Sequence, residues 1–233
     1  KAMNRLGIVL KYGAAMGLNV DIQATLKEKE LLGKSRHETK NIPALDWKNA
    51  RDFYASINGG SLTELALRLL MLTAVRSGSL RKARWEQFAG ELWTIPAENM
   101  KGLKGRTQDF VVPLSTEAMR VLEQLGPFKK DGFVFPGQRS GIISDMTMTK
   151  FLSEHRHDFR PHGFRSTFRT WCSEKTDFPD KHVEKCLAHS VGNKVQQAYE
   201  RTEFLDQRRN IMERWGDFLA QRNGRHRKLN IHG

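Results

Sequence analysis

The sequence predicts an α+β fold, mainly α-helical, with one small antiparallel β-sheet. Apolar residues recur at helical spacing along most of the 233 residues. The convincing strand signal lies in Glu91–Pro96 and Asp109–Pro113, and a single basic loop joins the two, as an antiparallel pair allows. An apolar fraction of 39% and a charged fraction of 28% fit a soluble globular chain with a substantial core. No apolar run approaches the roughly 20 residues that span a bilayer, so a membrane-spanning role is not expected.

Taken in order, residues 4–18 place Leu6, Val9, Leu10 and Ala14 at helical spacing, although Gly7, Gly13 and Gly17 weaken the helix. Residues 1–26 read as the end of a preceding helical domain. The chain begins Lys-Ala-Met and carries no apolar secretory segment, so a domain boundary is expected at its start. Residues 27–42, dense in charge, read as a linker closing at Ile42-Pro43, and the main domain is expected over residues 43–221.

Within that domain Asp46 is placed to cap a helix running to about Ile57. Ser61 is placed to cap a second, whose Leu62, Leu65, Leu69, Leu70 and Leu72 form a wide apolar face. Beyond the two strands, Phe133–Phe135 is a further strand candidate. Helices are predicted over Thr116–Leu125, Met146–Glu154, Gly163–Glu174, Pro179–Leu187, Val195–Tyr199 and Leu205–Gln221. The last carries Ile211, Met212, Trp215, Phe218 and Leu219 as an apolar stripe. Residues 222–233 read as a basic flexible tail.

Lys and Arg total 39 against 26 Asp and Glu, a formal net charge of +13. Such a surface concentrates polyanions, so DNA or RNA is the expected partner, with a merely basic soluble protein as the alternative. Cys172 and Cys186 are the only cysteines, too few for a disulfide framework or a cysteine-rich zinc site. A reducing, cytoplasmic setting with both thiols buried fits them.

Six residues have the chemistry that a phosphodiester demands: Arg76, Lys101, His162, Arg165, His189 and Tyr199. Two guanidiniums, Arg76 and Arg165, suit the nonbridging oxygens, which they can clamp through charge-assisted and often bidentate hydrogen bonds. His162 and Arg165 stand three apart, so in a helix they project from neighbouring positions of one face. The His162 ring suits either proton acceptance or donation, and the sequence leaves both open. Lys101 lies in the loop between the strands, where a flexible stem can bring an ammonium to a leaving oxygen. Tyr199 is one of three tyrosines, and its phenol becomes a nucleophile only where a base or neighbouring cations stabilise the phenolate. No acidic cluster with metal-ligand spacing accompanies the scattered histidines, so no metal or other cofactor is expected.

The segments Thr73-Ala-Val-Arg-Ser-Gly-Ser-Leu80, His162-Gly-Phe-Arg165 and Leu187-Ala-His189, with Tyr199 ten residues on, resemble the catalytic motifs of the tyrosine recombinase (phage integrase) family. The likeness covers about residues 43–220, and Ala198-Tyr-Glu-Arg201 is similar to integrases of temperate phages and genomic islands. It implies a tyrosine-recombinase catalytic domain, with residues 1–26 similar to the end of a core-binding domain. It also assigns Lys101 to a β-hairpin, where Met100-Lys101-Gly102 matches the family's lysine better than Lys104, and makes His189 a hydrogen-bond donor to the phosphate. Lys104, Arg106, Arg81 and Arg84 are further candidate DNA contacts.

One departure stands out. Three residues after its first arginine the family usually carries an acid, and this chain has Ser79; Glu86 is the carboxylate that could stand in.

The resemblance implies that Tyr199 attacks a scissile phosphate to give a 3′-phosphotyrosyl bond, and that strand exchange follows without ATP or a divalent metal. The implied partners are double-stranded attachment sites, a homo-tetramer in the synapse with a monomer when free, and an excisionase and a DNA-bending protein. Action on the bacterial nucleoid is implied as well. A type IB topoisomerase-like enzyme that nicks and religates, and an inactive DNA-binding module, are the competing readings.

Overall fold

The computed structural model describes residues 2–33, 43–102, 107–137, 141–189 and 204–221, and contacts divide the chain into residues 1–41 and residues 42–233. In the first unit helix α1 (Ala2–Ala15) is followed by helix α2 (Ala24–Leu32). Asp21 organises the start of α2: one carboxylate oxygen accepts from the Gln23 amide at 2.8 Å, the other from Lys27 at 2.8 Å. The charged run from Lys27, expected as linker, is therefore helical as far as Leu32. Lys, Glu and Leu are all good helix formers, and charge density alone does not distinguish a linker from a solvated helix. Large apolar side chains such as Ile8, Val9, Tyr12 and Leu31 remain exposed in this unit.

In the second unit short polar side chains start the first helices. Asp46 accepts from the Lys48 amide at 3.0 Å and opens a 3-10 turn that runs into α3 (Ala50–Ser56). Ser61 and Glu64 form a reciprocal capping box at the head of α4 (Leu62–Thr73). From Leu65 to Thr73 every residue of α4 is buried, which makes it the central helix. The buried Arg68 is paired there: it donates to Glu117 at 3.0 Å, and the Tyr54 hydroxyl donates to the same oxygen at 3.0 Å.

Helix α5 (Ser77–Arg81) leads into a sheet of β1 (Phe88–Ala89), β2 (Leu92–Ile95) and β3 (Phe110–Pro113), antiparallel and in that order. Trp93 lies opposite Val112 and Ile95 opposite Phe110. Phe133–Phe135 makes isolated bridges rather than a named strand, because the turn at Asp131-Gly132 and the following Pro136 leave it too short. Its Val134 and Phe135 serve as core residues instead.

Helices α6 (Thr116–Leu125), α7 (Thr147–Glu154), α8 (Phe164–Lys175), α9 (Asp180–Cys186) and α10 (Leu205–Leu219) complete the domain. The α10 stripe is buried at Ile211, Met212, Trp215 and Leu219, and the Trp215 indole donates to the Met71 carbonyl at 2.8 Å. The predicted helix at Val195–Tyr199 and the basic tail over 222–233 lie outside the described residues. Among the described residues no helix is long and apolar enough to cross a membrane.

Candidate active site

Arg76 owes its position to the end of α4. Ala74 adopts a left-handed conformation (φ 49°) and turns the chain, so that Arg76 enters as the extended residue heading α5. The Arg76 guanidinium is half-buried, and burial lowers its pKa. One turn into α5, the buried Ser79 hydroxyl donates to the Asn99 carbonyl at 2.8 Å. Asn99 closes the 3-10 turn Ala97–Asn99, two residues before Lys101. At the position expected to hold an acid, Ser79 thus ties the arginine helix to the lysine hairpin. Glu86 pairs with Arg84 at 3.0 Å.

His162 sits in the 3-10 turn Pro161–Gly163 that leads into α8. Gly163 lets that turn press on the start of the domain: a Cβ there would lie 2.8 Å from both Ala44 Cα and the Pro43 carbonyl. Arg165, one turn on, is buried. Its Nη1 donates to the Ala74 carbonyl and its Nη2 to the Leu187 carbonyl, each at 2.6 Å, and Nη2 also lies 2.9 Å from His189 Nε2. The guanidinium therefore braces the ends of α4 and α9 together. Burial, with Arg76 beside it and Glu184 opposing, lowers the Arg165 pKa to about 10, which leaves it charged at neutral pH.

The imidazole of His162 reports the convergence. Its pKa is held below the ordinary 6.5, by burial first and then by Arg165, Arg76, Lys101 and His189 in turn. Arg165 and His189, 24 residues apart in sequence, are in direct contact. A small cleft beside them is lined by Arg76, Ser79, Met100, Phe110, Arg165 and Ala188.

The remaining sequence-level candidates are placed as follows. Lys101 is exposed at the hairpin, whereas Lys104, Arg106 and Tyr199 lie outside the described residues. Arg81 Nε donates to the Ile143 carbonyl at 2.9 Å, and Arg84 lies 4.6 Å over the Phe133 ring. Of the other tyrosines, Tyr54 is buried on Glu117, its pKa raised chiefly by burial, and Tyr12 is exposed in the first unit.

Sequence reasoning missed the groups behind His189. Glu184 accepts from His189 Nδ1 at 2.6 Å and from Arg169 Nε at 2.6 Å, while Arg169 also donates to Asp180 at 2.9 Å. Burial works against the Glu184 carboxylate, but the hydrogen bonds from His189 and Arg169 outweigh it and hold its pKa below the usual range. The available signal was a glutamate five residues before the histidine, at the end of a helix.

An integrase of Enterobacteria phage P4 is 34% identical over 218 residues, covering 84% of this chain and 50% of the relative. Prophage integrase IntZ of Escherichia coli K12 is 30% identical over 234 residues, covering 94% of this chain and 54% of the relative. The chain thus spans about half the length of these relatives. Among solved structures, a lambda integrase dimer bound to a COC′ core site superposes with a TM-score of 0.53 at 15% identity, over 73% of this chain and 71% of that one. A lambda integrase tetramer bound to a Holliday junction gives 0.52 at 14%, over 74% and 58%. These two likenesses establish the fold as that of the lambda integrase chains. The pattern of the phage integrase family runs over residues 44–205, through every catalytic candidate from Arg76 to Tyr199, and the chain belongs to that family.

Proposed function

We propose that the chain is the catalytic part of a site-specific DNA recombinase that integrates or excises a mobile element through a 3′-phosphotyrosyl intermediate. The observation that carries this reading is that Arg76 and Arg165 line one small cleft, with His189 Nε2 2.9 Å from the Arg165 guanidinium. Arg76 and Arg165 bind the nonbridging oxygens of the scissile phosphate, and the buried one, Arg165, is already held in place by two backbone carbonyls. His162, its protonation disfavoured in the DNA-free chain, accepts the Tyr199 proton as the phenolic oxygen attacks phosphorus. The P–O5′ bond breaks, Lys101 gives the leaving oxygen its proton, and His189 donates to the phosphate. In the second step a 5′-hydroxyl from a partner duplex attacks the phosphotyrosyl linkage and frees Tyr199.

Positioning and electrostatics supply the catalysis, and the bond energy is conserved in the covalent linkage. Lys104, Arg106, Arg81 and Arg84 belong to the surrounding DNA contacts. Four copies assemble on the two duplexes to be joined, a number supported by the lambda integrase tetramer bound to a Holliday junction, and an excisionase and a DNA-bending protein set the direction. The test is incubation of the chain with a nicked duplex spanning a junction between mobile element and chromosome, in chelator, followed by a denaturing gel. A covalent protein–DNA adduct is expected, and none with Tyr199→Phe at equal DNA binding. An adduct formed by Tyr199→Phe, or one that appears only with added divalent metal, counts against the reading.

A further inference from the structure

Helix α9 ends in a turn that folds the chain back on itself. The Ala188 amide donates to the Lys185 carbonyl at 3.1 Å and the His189 amide to the Glu184 carbonyl at 3.0 Å, with Ala188 left-handed at φ 50°. This is the paired hydrogen-bond pattern of a Schellman motif, and it returns His189 over the helix it has just left. The imidazole consequently meets Glu184, five residues earlier, at 2.6 Å through Nδ1.

The two contacts of the ring fix its proton. An arginine only donates, so Nε2, 2.9 Å from Arg165 Nη2, accepts; an ionised carboxylate only accepts, so Nδ1 carries the hydrogen. Glu184 is itself immobilised by Arg169, which Asp180 holds in turn. The result is a chain of charged hydrogen bonds, Asp180–Arg169–Glu184–His189–Arg165, that runs from the surface of α9 to the buried guanidinium.

We propose that Glu184 is a positioning residue: through Nδ1 it fixes the orientation of His189, so that Nε2 points at the place where the scissile phosphate meets Arg165. When the phosphate engages Arg165, Nε2 loses its donor, takes up a proton from solvent and donates it in a hydrogen bond to the phosphate oxygen, while the carboxylate behind the ring stabilises the imidazolium so formed. The proposal rests on the reading of His189 as a phosphate contact, and the test separates the two.

A double-mutant cycle on the full chain measures single-turnover adduct formation on the nicked junction duplex, at saturating DNA. Glu184→Ala is expected to slow the step by on the order of 10-fold. In the His189→Ala background the same substitution is expected to change nothing, because a residue acting only through the ring has nothing left to act on. Any loss of stability from freeing Arg169 is common to both backgrounds and cancels. Equal slowing in the two backgrounds overturns the role of Glu184 while leaving His189 in place. Full-rate cleavage by His189→Ala overturns the phosphate role of His189, and the proposal falls with it. Nitrogen-15 spectra of the DNA-free chain give a second readout. His189 should carry its hydrogen on Nδ1, and Glu184→Ala should populate the Nε2–H form; an unchanged tautomer contradicts the proposal.

Discussion

At the residue scale the site turns on which ring is neutral and which side chains keep it so. His162 is drawn toward its neutral form by burial and by the cations around it, so protonation begins only below its ordinary 6.5. A general base works in its neutral form. The second-order rate of adduct formation should therefore rise with pH on the acid side and be level by about pH 7. A rate still climbing with unit slope between pH 7 and 8 would assign the base role elsewhere. Arg76, Lys101, His162, Arg165 and His189 were picked out in the sequence because each stands in a short segment that the family resemblance covers. Glu184, Arg169 and Asp180 were not. Arg169 belongs to α8 and its partners to α9, and five residues is no regular helical interval; only the Schellman turn brings Glu184 to His189. Ser79 was legible as a departure from the family pattern, but its bond to Asn99 joins two elements that sequence spacing does not connect.

At the scale of elements, the ends of helices place the chemistry. Ala74 ends α4 ahead of Arg76, and Ala188 ends the α9 turn ahead of His189; both are left-handed at residues that carry a Cβ. That conformation costs an L-residue about 1–2 kcal/mol, and glycine avoids it at a smaller cost in chain entropy. Ala188→Gly should accordingly stabilise the domain by about 0.5–1 kcal/mol in thermal or denaturant unfolding. Destabilisation by that substitution would show that the methyl group supplies packing the turn depends on. The caps at Asp46 and Ser61 could be read directly from the sequence, because a short polar side chain before an apolar stripe is a local signal. The helical form of residues 27–32 and the bridges of Phe133–Phe135 could not be read for the opposite reason. In the first a solvated helix looks like charged linker, and in the second an apolar Phe-Val-Phe run looks like a strand although turns confine it to bridges.

At the scale of the whole molecule, the chain carries a net charge of +13, and the buried Arg68 of its second unit is paired with Glu117, which also accepts from Tyr54. The excess is left for solvent and for a polyanion. Affinity for duplex DNA should fall by on the order of 10³-fold between 50 and 200 mM salt if about six phosphates are neutralised. An affinity indifferent to salt would remove the electrostatic basis of binding. Composition pointed to a polyanion as the expected partner, but only the fold sets Arg76 and Arg165 in one cleft. The measurement that bears most directly on the mechanism is peptide mapping of the covalent adduct by mass spectrometry after protease and nuclease digestion. The mechanism requires a nucleotide joined through its 3′-phosphate to the peptide containing Tyr199. A nucleotide on Tyr12, on Tyr54 or on any residue other than tyrosine, or a 5′ linkage, would contradict it.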